Sequence, residues 1–319
     1  MTGFMATDLD TLLQQFLRER KYLRNVSPDT IEWYECAWKA FKSSATCCLT
    51  DPGALKRSDL DQFIYVLRDR GVKPVTCNTW LKALNAFFRW LHENGHVESR
   101  VHMRPLKVEK RLVQTLDLET IHTLVTFKLP ILVTVNKNHL LGPRKGQKAF
   151  AWWRVHALCC ALLDTGCRVR ELLDAHVDDF DLDDLLVTVV GKGDKQRRIP
   201  FSVDLRRILF RYLQQRERFG VPPREPLMFP SHGGGAWDQQ NALGSFYLLQ
   251  DRLAIKRFGF HRLRHTFATE YLRRGGDVVR LSRTLGHTQI TTTMRYLHLL
   301  TDDLTIEHAK MSMLTSGRK

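Results

Sequence analysis

The chain has 319 residues, 43% of them hydrophobic, and carries 49 lysines and arginines against 34 aspartates and glutamates, a net charge of +15 at pH 7. A field of that sign attracts polyanions, so nucleic acid is the expected class of partner and an enzyme of acidic small substrates is disfavoured. The apolar content excludes a wholly disordered chain, and the length suits two domains of ~100–200 residues each.

No apolar run approaches the ~18 residues of a membrane span, and the start, MTGFMATDLD, lacks a basic stretch followed by an apolar one. A cytoplasmic protein with no membrane partner is expected. The seven cysteines include the adjacent pairs Cys47/Cys48 and Cys159/Cys160 but no C-x-x-C, which argues against a disulfide framework or a zinc knuckle and for thiols that are reduced and mostly buried.

The first hundred residues read as a compact bundle of four helices. Thr7 or Asp8 caps the first, with Leu9, Leu12, Leu13, Phe16 and Leu17 on one stripe. Ser27 and Pro28 start the second, which carries Ile31, Tyr34 and Trp38. The third begins near Ser58, turns Phe63, Ile64 and Leu67 inward and stops at Gly71; the fourth runs from near Val75 through Trp80, Leu84, Phe87, Phe88, Trp90 and Leu91 to Gly95. Trp80, Phe87 and Trp90 read as core, and Trp33 or Trp38 as partly facing a nucleic acid.

Residues 98–113, basic and interrupted by Pro105, read as an extended linker, not as packed structure, and separate a domain over 1–97 from one over 114–319. Net charge is +4 through Lys110 and +11 afterwards. In the second part LLVTVV at 185–190, GKGDK at 191–195 and RRIPF at 197–201 form a β-hairpin. Helices follow near 203–219, 239–254 and 262–274, with another before Gly286. Residues 128–150 fit nothing regular and read as a basic surface insertion.

Four short patterns carry candidate chemistry: TGCRVREL at 165–172, the hairpin turn GKGDK, HRLRH at 261–265 and LGHTQITTTMRY at 285–296. Each alone has an ordinary explanation, because arginines at helix starts are usually surface residues, turn lysines are solvated and tyrosines beside helices are mostly core. Together Arg168, Lys192, His261, Arg264, His287 and Tyr296 follow one another within one basic domain. In that order the sequence resembles the tyrosine recombinases, the lambda-integrase or phage integrase family, and within it the Xer-like and mobile-element members. The likeness covers nearly the whole chain. It departs from the usual pattern at Cys167, at Arg170, where a small polar residue is common, and at the 128–150 insertion.

The resemblance implies a mainly α fold with a small antiparallel β-sheet: a helical, SAM-like core-binding domain followed by a catalytic domain. It implies a site-specific DNA recombinase that cuts and rejoins DNA through a 3′-phosphotyrosyl bond, for integration, excision or resolution. A type IB topoisomerase or a silent DNA-binding protein of the same fold stand as alternatives. Arg168 and Arg264 would hold the scissile phosphate, since guanidinium grips phosphate with a planar fork of donors and stays charged. Tyr296 would be the nucleophile and His261 its base; Lys192 would protonate the departing 5′-oxygen, and His287 would donate to the phosphate. Glu171 would orient a catalytic neighbour.

Lys195, Arg197 and Arg198 flank the hairpin tip as candidate DNA contacts. The resemblance leaves His265 no phosphate role, so that residue is expected to brace the fold. No metal and no cofactor is expected, because the bond energy is kept in the phosphotyrosine and GKGDK lacks a P-loop frame. The partners implied are double-stranded recombination sites and a tetramer on synapsed DNA, formed by copies of this chain or together with a related recombinase. The tail after Tyr296, through Leu304, Ile306 and Met311, would pack on a neighbouring protomer.

Overall fold

The computed structural model describes residues 8–44, 50–108, 114–129, 143–191, 193–218, 226–231 and 233–297. The chain divides into two compact units, Met1–Arg111 and Leu112–Lys319.

The first unit holds α1 (Leu9–Tyr22), α2 (Pro28–Lys42), α3 (Arg57–Asp69) and α4 (Pro74–Glu93). Asp8 is the cap of α1, its carboxylate accepting from Thr11 N–H at 2.6 Å, and the five apolar residues of the stripe are all buried. Thr7, the alternative cap, lies outside the described residues. Phe16 packs against Tyr34, Phe87 and Trp90 with ring centroids 4.9 to 5.8 Å apart. The expectation that Trp38 faces a nucleic acid is corrected: its ring is buried and its indole N–H donates to Asp10 at 2.7 Å. Trp33 is half-buried against the same core, Phe87 and Trp90 are core, and Trp80 only partly so.

The basic stretch after α4 has no helix or strand over 101–108, yet it is packed, which corrects its reading as an undocked linker. Val97 and Val101 are buried in the bundle core. Asn85 exchanges two hydrogen bonds with the backbone of Met103, at 2.8 and 3.2 Å, and Asn78 does the same with Leu106, at 2.9 and 2.7 Å. The geometry explains the match. Two helical turns separate the asparagines by ~10 Å, and three extended residues span nearly the same distance, ~10 Å. Each amide offers one donor and one acceptor, as a neighbouring strand would.

The second unit is built on α6 (Pro143–Thr165), against which α5 (Leu118–Val125), α8 (Val203–Arg218), α9 (Gln239–Arg252) and α10 (Phe260–Arg273) pack. Residues 153–162 of α6 are buried without interruption. A helix covered on every side lacks the stripe that marks a surface helix, and here even Arg154 and His156 are buried among the apolar residues. Pro143–Phe150 are its first turns, which corrects the reading of 128–150 as irregular throughout; residues 130–142 lie outside the described residues.

The short α7 (Val169–Leu173) leads to a three-stranded antiparallel sheet in the order β1 (Phe180–Asp181), β2 (Leu186–Val190), β3 (Gln196–Pro200). In the β2–β3 hairpin Val187 pairs with Ile199 and Val189 with Arg197. Gly193 and Asp194 take positive φ in the turn, which Gly191 N–H closes onto Lys195 O at 2.9 Å. The chain then passes through α11 (Val278–Leu285) and the four-residue α12 (Thr291–Met294). Helix α10 starts two residues before the expected 262, so His261 sits in its first turn.

The fold is thus mainly helical with one small antiparallel sheet, the class expected from the sequence. Cys77, Cys159, Cys160 and Cys167 are free and buried, and Cys36 is free and exposed.

Candidate active site

The last turn of α11 organises the site. Gly286 ends that helix with φ +64° and ψ +43°, a left-handed conformation that favours glycine; its N–H bonds Arg283 O and the next N–H, of His287, bonds Ser282 O. A Cβ at Gly286 would come within 2.9 Å of the Arg197 guanidinium. The terminal carbonyls of α11 are left pointing outward, at the negative end of the helix dipole, and arginines receive them.

Arg264, buried on α10, donates through Nη2 to Leu285 O and through Nη1 to Gly166 O, both at 2.7 Å. Arg197 donates through Nε to Thr284 O at 2.9 Å. Arg168, just ahead of α7, lies with its guanidinium 3.5 Å from the carbonyls of Leu285 and Gly286.

Glu171 ties this set together from α7. Its two carboxylate oxygens accept from both Nη atoms of Arg197 at 2.9 and 2.7 Å, from Arg168 Nη1 at 2.9 Å and from the Arg168 backbone N–H at 2.8 Å. Burial alone would raise the Glu171 pKa, but the bonds from Arg197 and Arg168 outweigh it and hold the carboxyl below its ordinary value. One carboxylate among three guanidiniums leaves a surplus of positive charge facing the cavity.

Arg197 is therefore not a free surface cation, which corrects its reading as a DNA contact. On β3 it shares a face with buried Ile199, so the strand turns it inward, while Arg198 points the other way and is exposed, as is Lys195. Glu171→Gln is expected to lower the melting temperature and destabilise the unit by about 3 kcal/mol, the cost of leaving the largely buried Arg197 guanidinium without its carboxylate. The sign with pH follows from the lowered folded pKa: the wild type's advantage is full above the unfolded carboxyl pKa and disappears as pH falls through the folded one. Thermal melts of both proteins from neutral to acid pH check this.

The guanidiniums open on a cavity of about 200 Å³ lined by Arg168, His261, Arg264, His265, His287, Thr292, Arg295 and Tyr296. Five of the six residues singled out as catalytic thus share one space; Lys192, the sixth, lies outside the described residues. His287 accepts at Nε2 from Arg264 Nη2 at 3.1 Å, because a guanidinium can only donate. Its Nδ1 then bears the proton and donates to buried Thr293 Oγ1 at 2.8 Å. Burial, with Arg264 and Arg168 beside it, brings the His287 pKa down to about 4 and keeps the ring neutral. His261 sits at the cavity's edge with its outer side exposed, and partial desolvation on the cavity side, with the same two arginines, also lowers it.

The Tyr296 ring is buried among Ala268, Leu272, Leu281 and Leu285, and its backbone N–H bonds Thr293 O at 3.0 Å, so Thr293 fixes both His287 and the tyrosine. Burial raises the phenol pKa more than the nearby Arg264 and Arg295 lower it. Among the described residues its hydroxyl bonds His265 Nδ1, at 2.8 Å, and not His261. His265 therefore lies in the cavity on the tyrosine. A sequence signal existed, since His265 follows His261 by one helical turn and shares its face. Among the described residues no cluster of histidine, cysteine and carboxylate groups has the makings of a metal site.

Residues 147–302 match the phage integrase family. Over 303 residues the chain is 29% identical to the tyrosine recombinase XerD of Listeria monocytogenes, covering 91% of this chain and 95% of that one. Over 311 residues it is 28% identical to the tyrosine recombinase XerC of Xanthomonas campestris, covering 93% and 87%. The Tn1549 transposon integrase, solved over its residues 82–397 in complex with a circular intermediate DNA, superposes with a TM-score of 0.74 at 18% identity over 96% of this chain and 100% of the solved one. The site-specific recombinase XerH, solved bound to a palindromic difH substrate after cleavage, gives 0.66 at 20% identity over 95% and 84%. No helix among the described residues is long and apolar enough to cross a membrane.

Proposed function

Because this chain belongs to the tyrosine recombinases of the phage integrase family, an enzyme family that cuts and rejoins DNA at specific sites, we propose that Tyr296 is its nucleophile and that Arg168 and Arg264 hold the scissile phosphate. One observation carries the assignment: the phenol and both guanidiniums line one cavity of the same chain. As Tyr296 Oη bonds to phosphorus the phosphate gains a second negative charge, and preorganised donors in a site of low dielectric stabilise it. The bond from phosphorus to the 5′-oxygen breaks, leaving DNA joined through its 3′-phosphate to the tyrosine. Lys192 supplies the proton to the departing oxygen, and attack by a 5′-hydroxyl of the partner strand reverses the sequence without ATP.

His287 needs a second proton to donate to the phosphate, because its one proton is already given to Thr293. An anion against Nε2 favours that protonated form, so closure on DNA is coupled to proton uptake at this ring. Lys195 and Arg198, both exposed, are the proposed contacts to the DNA backbone.

The ligand is duplex DNA carrying a recombination site, and the compartment is the cytoplasm, where that DNA is found. Exchange between two sites needs four strand cuts and hence four nucleophiles, so the working form is a tetramer, of this chain alone or with a related recombinase. The domain division proposed, 1–97, 98–113 and 114–319, gives each protomer a helical clamp and a catalytic unit. The tail packs across protomers in this reading; residues 298–319 lie outside those described. Deletion of 304–319 should impair pairing of two sites more than binding of one.

The assignment is tested with a nicked duplex carrying the cognate site, from which the 5′-terminated fragment diffuses away after cutting. Covalent DNA should be found on the peptide containing Tyr296. A protein that binds the site but forms no adduct would support the silent DNA-binding alternative, and relaxation of arbitrary DNA by a monomer would support the topoisomerase one.

A further inference from the structure

The site leaves open which group receives the phenolic proton, and the geometry answers differently from the sequence. We propose that His265 is a further catalytic residue, whose Nδ1 takes the proton of Tyr296 as Oη bonds to phosphorus. The inference rests on the assignment of Tyr296 as nucleophile made above.

Three observations converge. The Tyr296 hydroxyl is 2.8 Å from His265 Nδ1, within proton-transfer reach, whereas its bond does not go to His261, the base that the resemblance implies. The contact lies inside the cavity that holds Arg168 and Arg264, so the proton acceptor sits beside the oxygen that attacks. Arginines and histidines surround the ring: His261, Arg262 and Arg264 on α10, Arg295 beside the tyrosine, and Arg168 and His287 elsewhere on the cavity wall. Burial, with His261, Arg295, Arg264 and Arg262 beside it, brings the His265 pKa down to about 4, so the imidazole is neutral and free to accept.

A base that weak leaves the resting phenol protonated, which suits an enzyme that must not spend its nucleophile before DNA arrives. The transfer becomes favourable only as the bond to phosphorus forms. An oxygen bonded to both a phenyl ring and phosphorus is a far stronger acid than phenol, and the negative charge gathering on the phosphate raises the proton affinity of the adjacent imidazole. The balance is complete. The phenolic O–H breaks, its electron pair becomes the Oη–P bond, the proton goes to Nδ1, and the P–O5′ pair leaves with the 5′-oxygen, protonated by the general acid. In the rejoining step the imidazolium returns its proton to the departing phenol.

The experiment compares single-turnover cutting of the nicked duplex by the wild type and His265→Asn, each with natural or ring-fluorinated tyrosine at 296. Asparagine places an amide atom near the position of Nδ1, so it keeps a hydrogen bond but takes no proton. The expected result is unchanged DNA affinity, a rate lower by about 100-fold, and recovery of about tenfold when the more acidic fluorinated phenol replaces Tyr296 in the variant. His265→Ala should be slower still, with the same rescue.

A His265→Asn rate within about threefold of wild type would overturn the proposal and leave His265 as a holder of the ring. A slow variant that fluorination fails to rescue would overturn it too. Either result, with normal adduct formation on Tyr296 in the wild type, leaves the assignment of the nucleophile standing. Absence of any wild-type adduct on Tyr296 would overturn both.

Discussion

Tyr296→Phe is expected to abolish covalent capture of DNA while leaving the fold and the binding of a single site intact. The ring is the structural part of this side chain. It fills the small core made by Ala268, Leu272, Leu281 and Leu285, and phenylalanine fills the same volume. The hydroxyl's hydrogen bond goes to His265, so its loss costs about 1 kcal/mol. Tyr296→Ala, by contrast, opens a cavity between α10 and α11 and should cost about 3 kcal/mol or more, confusing a chemical defect with a folding one. Gel shift, thermal melting and adduct formation measured together separate the cases. Residual adduct in the phenylalanine variant would show that another residue attacks.

Arg264→Lys should reduce cutting by about 1000-fold or more, because the role proposed for Arg264 asks a planar fork of donors to hold a developing oxyanion. It should also weaken the fold, since one ammonium has to replace charge-assisted bonds to Gly166 O and Leu285 O that come from two different nitrogens. At about 1.5–3 kcal/mol for each such bond, losing even one lowers the melting temperature measurably. The pH profile gives a sharper signature. Burial and the neighbouring Arg168 bring Arg264 down to about 10, which still leaves it charged at neutrality. A lysine starts from a lower ordinary value, near ~10.4, and burial lowers it further. The variant's remaining activity should therefore fall with rising pH before the wild type's does.

The parts of this molecule that its sequence discloses are those whose environment is set locally. Helices α1, α3 and α4 bury one face each, and their leucines and phenylalanines repeat at the matching interval. Helix α6 has the opposite character: covered by other helices, it shows no stripe, and its first turns pass for irregular chain. Strand β1 has two residues, too few for any alternation to register. The docking of Met103 and Leu106 depends on two asparagines 18 and 28 positions away, a relation that neither segment announces alone.

The site divides in the same manner. Arg168, Arg264, His287 and Tyr296 stand out by type and order. The work of Arg197 is decided by which side of β3 meets α11, and that of His265 by a tyrosine 31 positions later on another element. In each of these cases a remote partner decides what the residue does.

The docking of arginines on the end of α11 also bears on the thermodynamics of recognition. A free arginine side chain carries about 2 kcal/mol of rotamer entropy, which a ligand ordinarily has to extract at the moment of binding. Here Arg264 surrendered that freedom when the chain folded, through its bonds to Gly166 O and Leu285 O, and Arg168 through its bond to Glu171. A phosphodiester entering the cavity thus meets side chains that are already still, and calorimetry of site binding should show a smaller entropic penalty for this enzyme than for a variant in which Glu171 no longer restrains Arg168.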